Sequence, residues 1–371
     1  MVLTGCFKFF QNKWIANLLM QLLLILSASF AAEQTELMQY KIDSSQYSQA
    51  LGDTVSQPGS NIMVVFQDSK HRYWFGSWET GLYKFDGSSI INFTTKHGLP
   101  GNRIEEIRED KFGNIFINTN AGLCKYDGSK IISIPEPINY TSQWNLQPND
   151  LWFKSRKMGY VNRYDGKFLH TLKVPKSTVG EEYLKSHPNA YDPYGIYCIY
   201  RDSKGHIWFG MSLLGTFRYD GKTFDWISEP DLTELHGGPA NGVRSIIEDK
   251  EGYFWFNSEY RYKITDRLDL GNERFYERIK SIGSLDGIKD GNKNEYLSIA
   301  KDNESNLWIA TYRDGVWKYY GKEIRHYSIQ ENGKDINLFY IYNDKIGNIW
   351  LGTHQNGVWK LMGEKFERLK L

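Results

Sequence analysis

An Asp stands six residues before a Trp or Phe at six places in this 371-residue chain, and this recurrence most limits what the chain can fold into. The pairs are Asp68–Trp74, Asp110–Phe116, Asp202–Trp208, Asp249–Trp255, Asp302–Trp308 and Asp344–Trp350. Three residues after the Asp comes Gly113, Gly205, Gly252 or Gly347, replaced by His71 and Ser305 in the other two copies. Three residues before it stands an aliphatic residue each time, from Val65 to Ile341, and two residues after the aromatic comes Gly76, Asn118, Gly210, Asn257, Ala310 or Gly352. Recurrence of one pattern along a chain marks a repeat architecture, for which length does not count domains.

A second signature follows the first. It reads Gly81-Leu-Tyr-Lys84, Gly215-Thr-Phe-Arg218, Gly315-Val-Trp-Lys318 and Gly357-Val-Trp-Lys360, with Gly122-Leu-Cys-Lys125 as a variant. Phe85-Asp-Gly87, Tyr126-Asp-Gly128, Tyr164-Asp-Gly166 and Tyr219-Asp-Gly221 come next. Each unit thus reads as four short strands, A to D. An Asp/Gly turn joins A to B, a loop joins B to C, and an Asp-Gly hairpin turn, whose central residues need φ > 0, joins C to D. The 15% aromatic content suits half-buried pleated surfaces. A seventh, degenerate copy is anchored by Trp152 and Tyr164-Asp-Gly166, with the Asp-to-Trp spacing lost. One such sheet cannot bury both its faces, and radial stacking solves this. The predicted fold is all-β: a seven-bladed β-propeller of four-stranded antiparallel blades over residues 61–371. Residues 32–60 form an N-terminal segment in which Gln39–Asp43 is a candidate ring-closing strand.

Lys8 and Lys13 precede an apolar run from Trp14 to Leu26, and small residues follow to Ala32. This is the layout of a secretory signal peptide over 1–31, with Ser29-Phe30-Ala31 as the cleavage triplet. The rival is an uncleaved anchor over Trp14–Ala32. Either places the rest of the chain in the periplasm or outside the cell. The Lys/Arg total of 45 almost balances the Asp/Glu total of 44, and no basic block stands out, which argues against nucleic acid as a partner. Cys6, Cys124 and Cys198 show no metal spacing. Cys124 fills an aromatic slot of strand C. Cys198 sits at a variable strand A position shared with Val64, Glu106, Ser245, Ser298 and Tyr340, which suits a channel-facing site. Blades 2 and 4 are not neighbours, so no disulfide between Cys124 and Cys198 is expected.

The motif Asp-x-x-Gly-x-[Ile/Leu]-Trp, then Gly-Leu-Tyr-Lys-Phe-Asp-Gly, then His97-Gly-Leu-Pro-Gly-Asn102, resembles the two-component regulator propeller repeat across nearly all of residues 60–371. The resemblance implies an extracytoplasmic recognition domain, since in that family such propellers form the periplasmic sensors of bacterial hybrid histidine kinases, many perceiving carbohydrate fragments. The sequence ends at Leu371 directly after the last repeat, so signalling by the chain itself is not implied.

The repeated Asp and Trp read as scaffold, because a residue needed once for chemistry would not recur six times. No catalytic set, metal site or cofactor is expected. Function is expected on the face carrying the variable B–C loops and D–A crossovers. Its candidate ligand-binding residues are Trp78, His97, Asn120, Arg156, Tyr260, Arg261, Tyr312, Arg313 and His354. Aromatic faces with Arg and Asn suit a polar or carbohydrate-like small molecule, feeding a signalling or uptake system through a membrane sensor kinase in trans. Two alternatives stay open: a lyase-type propeller enzyme with a metal-assisted His/Glu site using His97, His236 or His354, and a protein-interaction scaffold. Contact with a membrane is expected only through an uncleaved N-terminal segment. Thr178-x-x-Glu181 predicts a short helix over Thr178–Ser186 in the longest clean crossover.

Overall fold

The computed structural model describes residues 52–136, 140–141, 143–189, 191–228, 242–256, 260–265, 276–280, 296–320 and 323–369. They form a seven-bladed β-propeller, with one short α-helix at Thr178–Ser186. Strands A to D run Ile62–Gln67, Tyr73–Ser77, Leu82–Phe85 and Ile90–Phe93 in blade 1, and every blade but the third orders them A-B-C-D from the channel outward. Blade 7 is continuous, from Leu338–Asn343 to Lys365–Arg368. The candidate closing strand Gln39–Asp43 lies outside the described residues. Instead Asp53–Val55 pairs antiparallel with Ile90–Phe93 as a fifth, outermost strand of blade 1. The ring closes by packing: Tyr73 lies 4.5 Å from Trp350, and the Tyr73 hydroxyl donates to Asp344 at 2.7 Å.

The repeated Asp builds its turn. In blade 1 the Asp68 carboxylate accepts the backbone N–H groups of Lys70 and Arg72 on one oxygen and the Trp74 indole N–H at 2.9 Å on the other. The indole bond recurs from Trp208, Trp255, Trp308 and Trp350 to Asp202, Asp249, Asp302 and Asp344 at 2.8–2.9 Å. The position three after the Asp is left-handed in every such turn, which explains its glycines. His71 (φ 61°) and Ser305 (φ 67°) adopt the same conformation without that freedom. The C–D turns differ from expectation: only the Gly has positive φ, as at Gly87 (99°). The preceding Asp86 instead accepts the N–H groups of Ser88 and Ser89, so a side-chain cap replaces the second left-handed residue.

Strand A positions join neighbouring blades. Ser245 Oγ accepts the N–H of Ile299 in the next blade at 3.0 Å, and Ser298 Oγ accepts that of Ile341 at 3.2 Å. Cys198 Sγ lies 3.5 Å from the Val243 carbonyl. The variable slot is therefore a lateral fastener between blades and not simply a channel-facing position. The small residue opposite it allows the close approach: a Cβ on Gly210 would lie 2.2 Å from the Val243 carbonyl, and one on Gly352 would lie 2.6 Å from that of Ile62. Cys124 is buried in the core, and both it and Cys198 are free thiols.

Blade 3 departs from the pattern. Its sheet runs from Leu151–Lys154 through Tyr160–Tyr164 and Leu169–Lys173 to Tyr140–Thr141, which pairs in parallel on the outer edge. Residues 143–150 contain no strand, so the chain enters strand B without forming strand A among the described residues. It crosses the turn face instead, where the Trp144 N–H donates to the Gly221 carbonyl of blade 4 at 2.7 Å. Asp150 is neutralised by Arg163, with Nε–Oδ2 at 2.8 Å and both side chains buried. The Trp152 indole N–H, deprived of an Asp six residues earlier, is buried without a hydrogen bond.

Candidate functional site

The channel mouth on the loop face is the place where non-repeating side chains converge. In five blades the A–B pairing slips by one residue at the same point, as between Ile62 and Val64 or Ile104 and Glu106. A β-bulge re-aims the extra residue and strengthens local twist. The bulged residues are Met63, Glu105, Tyr197, Leu297 and Phe339, at the loop end of the innermost strand. Arg244 holds the equivalent position in blade 5.

Blades 1, 2, 4 and 5, on either side of the blade that has no strand A among the described residues, contribute two aromatic–cation groups. The Arg103 guanidinium stacks 3.3 Å above the Trp78 ring, with its Nε 3.4 Å from Glu105. Arg244 lies 4.2 Å over Tyr197, whose ring is 6.1 Å from that of Tyr191. Burial raises the Tyr191 phenol above its ordinary pKa, and Tyr197 adds to this, while Arg244 and Arg103 pull the other way. At the inner edge of blade 3, the Glu106 carboxylate accepts the Lys154 backbone N–H at 2.7 Å and the Asn118 amide at 2.9 Å. Asn118 also donates to the Lys154 carbonyl at 2.9 Å. Two side chains of blade 2 thus satisfy the inner edge that strand A covers elsewhere.

A second cluster sits between blades 6 and 7. The His354 ring stacks on Phe339 at 5.5 Å, Tyr312 meets Phe339 edge-on at 5.8 Å, and Arg313 lies 5.4 Å over Tyr312. The Asn332–Gly333 turn, with both residues at positive φ, tips a small hairpin beside it whose Glu331 binds Asn356 and Arg368. A cleft of about 670 Å³ lies between the entry segment Val55–Ser60, blade 1 and Arg368.

Of the nine predicted residues, Trp78 belongs to the first cluster, and Tyr312, Arg313 and His354 form the second. Asn120 is exposed, and its backbone N–H donates to the Arg103 carbonyl at 3.0 Å. Arg156 is paired with Glu136 at 3.2 Å. His97 Nδ1 accepts the Thr94 N–H at 3.0 Å, locking its own turn. Tyr260 and Arg261 stand in strand C (Tyr260–Ile264) and not in the loop before it. Blade 5 lacks the glycine that marks the start of strand C, which hid this register. Arg261 is therefore the repeat's cation, reaching Glu251 at 2.8 Å on the turn face. Glu105, Tyr197 and Phe339 escaped the sequence reading because they lie near the start of strand A and not in a loop, while Arg103 and Arg244 precede the strands of blades 2 and 5. Their signal is positional: the bulged residue directly precedes the variable slot. His236 lies outside the described residues. The predicted helix forms, but its cap is Ser177, whose hydroxyl accepts the Gly180 N–H, and not Thr178.

Among the described residues no group of three His, Cys, Asp or Glu is placed to hold a metal ion. No helix among them is long and apolar enough to cross a membrane.

The fold defines a seven-bladed β-propeller. More particularly, the chain carries the two component regulator propeller repeat, whose family model matches residues 191–212, a span that includes Tyr191 and Tyr197. Among solved structures the chain is similar to the extracellular domain of a B. thetaiotaomicron protein assigned to a one component system, at 23% identity and TM-score 0.56, covering 84% of this chain and 40% of that one. A second B. thetaiotaomicron extracellular domain, assigned to a hybrid two component system, gives 20% identity and TM-score 0.56 over 81% of this chain and 40% of that one. Virginiamycin B lyase from Staphylococcus aureus gives 15% identity and TM-score 0.58 over 84% of this chain and 98% of that one. These likenesses show the fold. The chain spans about two-fifths of the length of the first two structures. No curated protein matches the chain.

Proposed function

We propose that this chain is an extracytoplasmic sensor propeller, periplasmic or secreted, that binds a small polar, carbohydrate-like ligand at the loop-face mouth of its channel. The reading rests on one observation: on the blades around blade 3, which has no inner strand among the described residues, Arg103 stacks on Trp78 and Arg244 on Tyr197, beside Tyr191. Flat aromatic faces take up the apolar face of a sugar ring. Guanidinium forks donate to hydroxyls or to a carboxylate in fixed geometry. Such a concave site with few placed polar groups is how rigid scaffolds hold small ligands. The family resemblance supports a signalling role, with a membrane sensor kinase as the partner in trans.

The test is a thermal-shift and calorimetric screen of the full chain against glycan fragments, neutral and acidic. A hit is expected to lose at least tenfold in affinity in Tyr197→Ala and Arg244→Ala, each about 1.4 kcal/mol or more. Silence across the panel, or a hit indifferent to both substitutions, overturns the assignment of this mouth.

A further inference from the structure

Blade 3 has no strand A among the described residues, and its Trp152 indole N–H is buried without an acceptor. Residues 143–148, which hold the chain position of that strand, lie instead against the A–B and C–D turns of blade 4. The two together line a cleft of about 720 Å³. The approach is close: a Cβ on Gly221 of the C–D turn would lie 2.5 Å from the Trp144 carbonyl.

The rearrangement releases a cation. Strand A elsewhere ends on a residue that fastens the A–B turn of the preceding blade. Glu109 accepts the Ser69 N–H at 2.8 Å, Glu248 that of Ser203 at 2.7 Å, and Gln67 that of Lys345 at 2.9 Å. Arg201 holds this place in blade 4 and has no such turn to fasten. Its guanidinium donates to the Gln147 carbonyl at 2.7 Å and is in no ion pair among the described residues. Burial pushes its pKa below the ordinary value despite the fields of Asp150 and Asp202.

Arg201 shares the cleft with Lys204 on the A–B turn and Lys222 on the C–D turn, both exposed and neither in an ion pair among the described residues. The acids nearby are engaged: Asp202 by Trp208 and His206, Asp150 by Arg163, and Glu248 by Ser203. Asp220 is the one carboxylate that lines the cleft, and one of its oxygens accepts the N–H groups of Lys222 and Thr223. Three cations against one carboxylate leave a surplus that matches the charge of about −2 on a phosphomonoester. The cations come from three separate elements, which suits the diverging oxygens of a tetrahedral phosphate; a planar carboxylate is satisfied by one bidentate Arg. The volume is that of a small-molecule site and exceeds a phosphate alone, and Trp144, Leu146 and Pro148 supply an apolar wall.

We infer that the cleft between residues 143–148 and the turns of blade 4 is a second ligand site, which takes the phosphate ester of a small ring-bearing molecule. The phosphate meets Arg201, Lys204 and Lys222, and the ring lies against Trp144 and Leu146. The site stands on the face of short turns and does not depend on the reading of the channel mouth.

Calorimetry on the full chain tests this with glucose 6-phosphate, inorganic phosphate and glucose as probes. Glucose 6-phosphate is expected to bind saturably, inorganic phosphate about tenfold more weakly, and glucose not at all. Lys204→Gln with Lys222→Gln, both at exposed turn tips, is expected to weaken glucose 6-phosphate about tenfold or more and to leave the melting temperature unchanged. Arg244→Ala at the channel mouth is expected to leave that binding unchanged, so failure here and failure of the mouth assignment are read separately. No saturable binding of glucose 6-phosphate overturns the proposal. So does binding that glucose matches, that the double substitution leaves intact, or that Arg244→Ala removes.

Discussion

Glu106 of blade 2 accepts the backbone N–H of Lys154 in blade 3 at 2.7 Å, so one carboxylate takes the hydrogen-bonding place of a strand. The same oxygen holds the Asn118 amide at 2.9 Å, and the side chain is buried. Glu106→Ala strands both donors and is expected to cost about 3 kcal/mol of stability, whereas Glu106→Gln keeps an acceptor and costs about 1 kcal/mol. Urea unfolding of the two variants distinguishes a hydrogen-bonded edge from mere packing, which would make them equal.

Two tryptophans at equivalent positions are expected to respond differently to one substitution. Trp208→Phe removes the donor to Asp202 and is expected to cost about 2 kcal/mol. Trp152→Phe removes an indole N–H that has no acceptor, so relief of that group offsets lost packing and the change stays below about 1 kcal/mol. Equal losses in thermal unfolding would contradict the hydrogen-bond argument.

Acid should unfold the ring through its repeated aspartates. Burial by itself raises the carboxyl pKa values of Asp68, Asp202, Asp302 and Asp344. Donation from the partner indoles and from the i+4 residues outweighs it and holds all four below the ordinary 3.8. A depressed folded value means the stabilisation is complete above 3.8 and is lost as pH falls through the lower folded values. The urea midpoint is expected to drop steeply below about pH 4, and Asp302→Asn is expected to flatten that drop while lowering stability at neutral pH.

The left-handed turn position offers a gain as well as a loss. Ser305→Gly relieves a φ of 67° and is expected to add about 0.5 kcal/mol, net of the greater freedom of Gly in the unfolded chain. Gly252→Ala, with no atom near the added Cβ, is expected to cost about 1 kcal/mol through backbone conformation alone. Thermal denaturation reads both.

The repeat was legible without coordinates because its residues act locally. An Asp that binds N–H groups two and four residues away, and an indole six away, writes its geometry into spacing. Strand order, the turn face and the loop face follow from that spacing. Even the exceptions, His71 and Ser305, occupy the left-handed position that the spacing assigns them. What spacing could not express was the relation between blades. Whether Ser245 faces the channel or fastens Ile299 depends on how closely two sheets approach, which no single repeat encodes. That blade 3 has no strand A among the described residues, and that Glu106 of blade 2 serves its inner edge instead, likewise depends on ring packing. Local hydrogen bonding determined the blades from sequence alone, while burial between blades decided where the molecule is open.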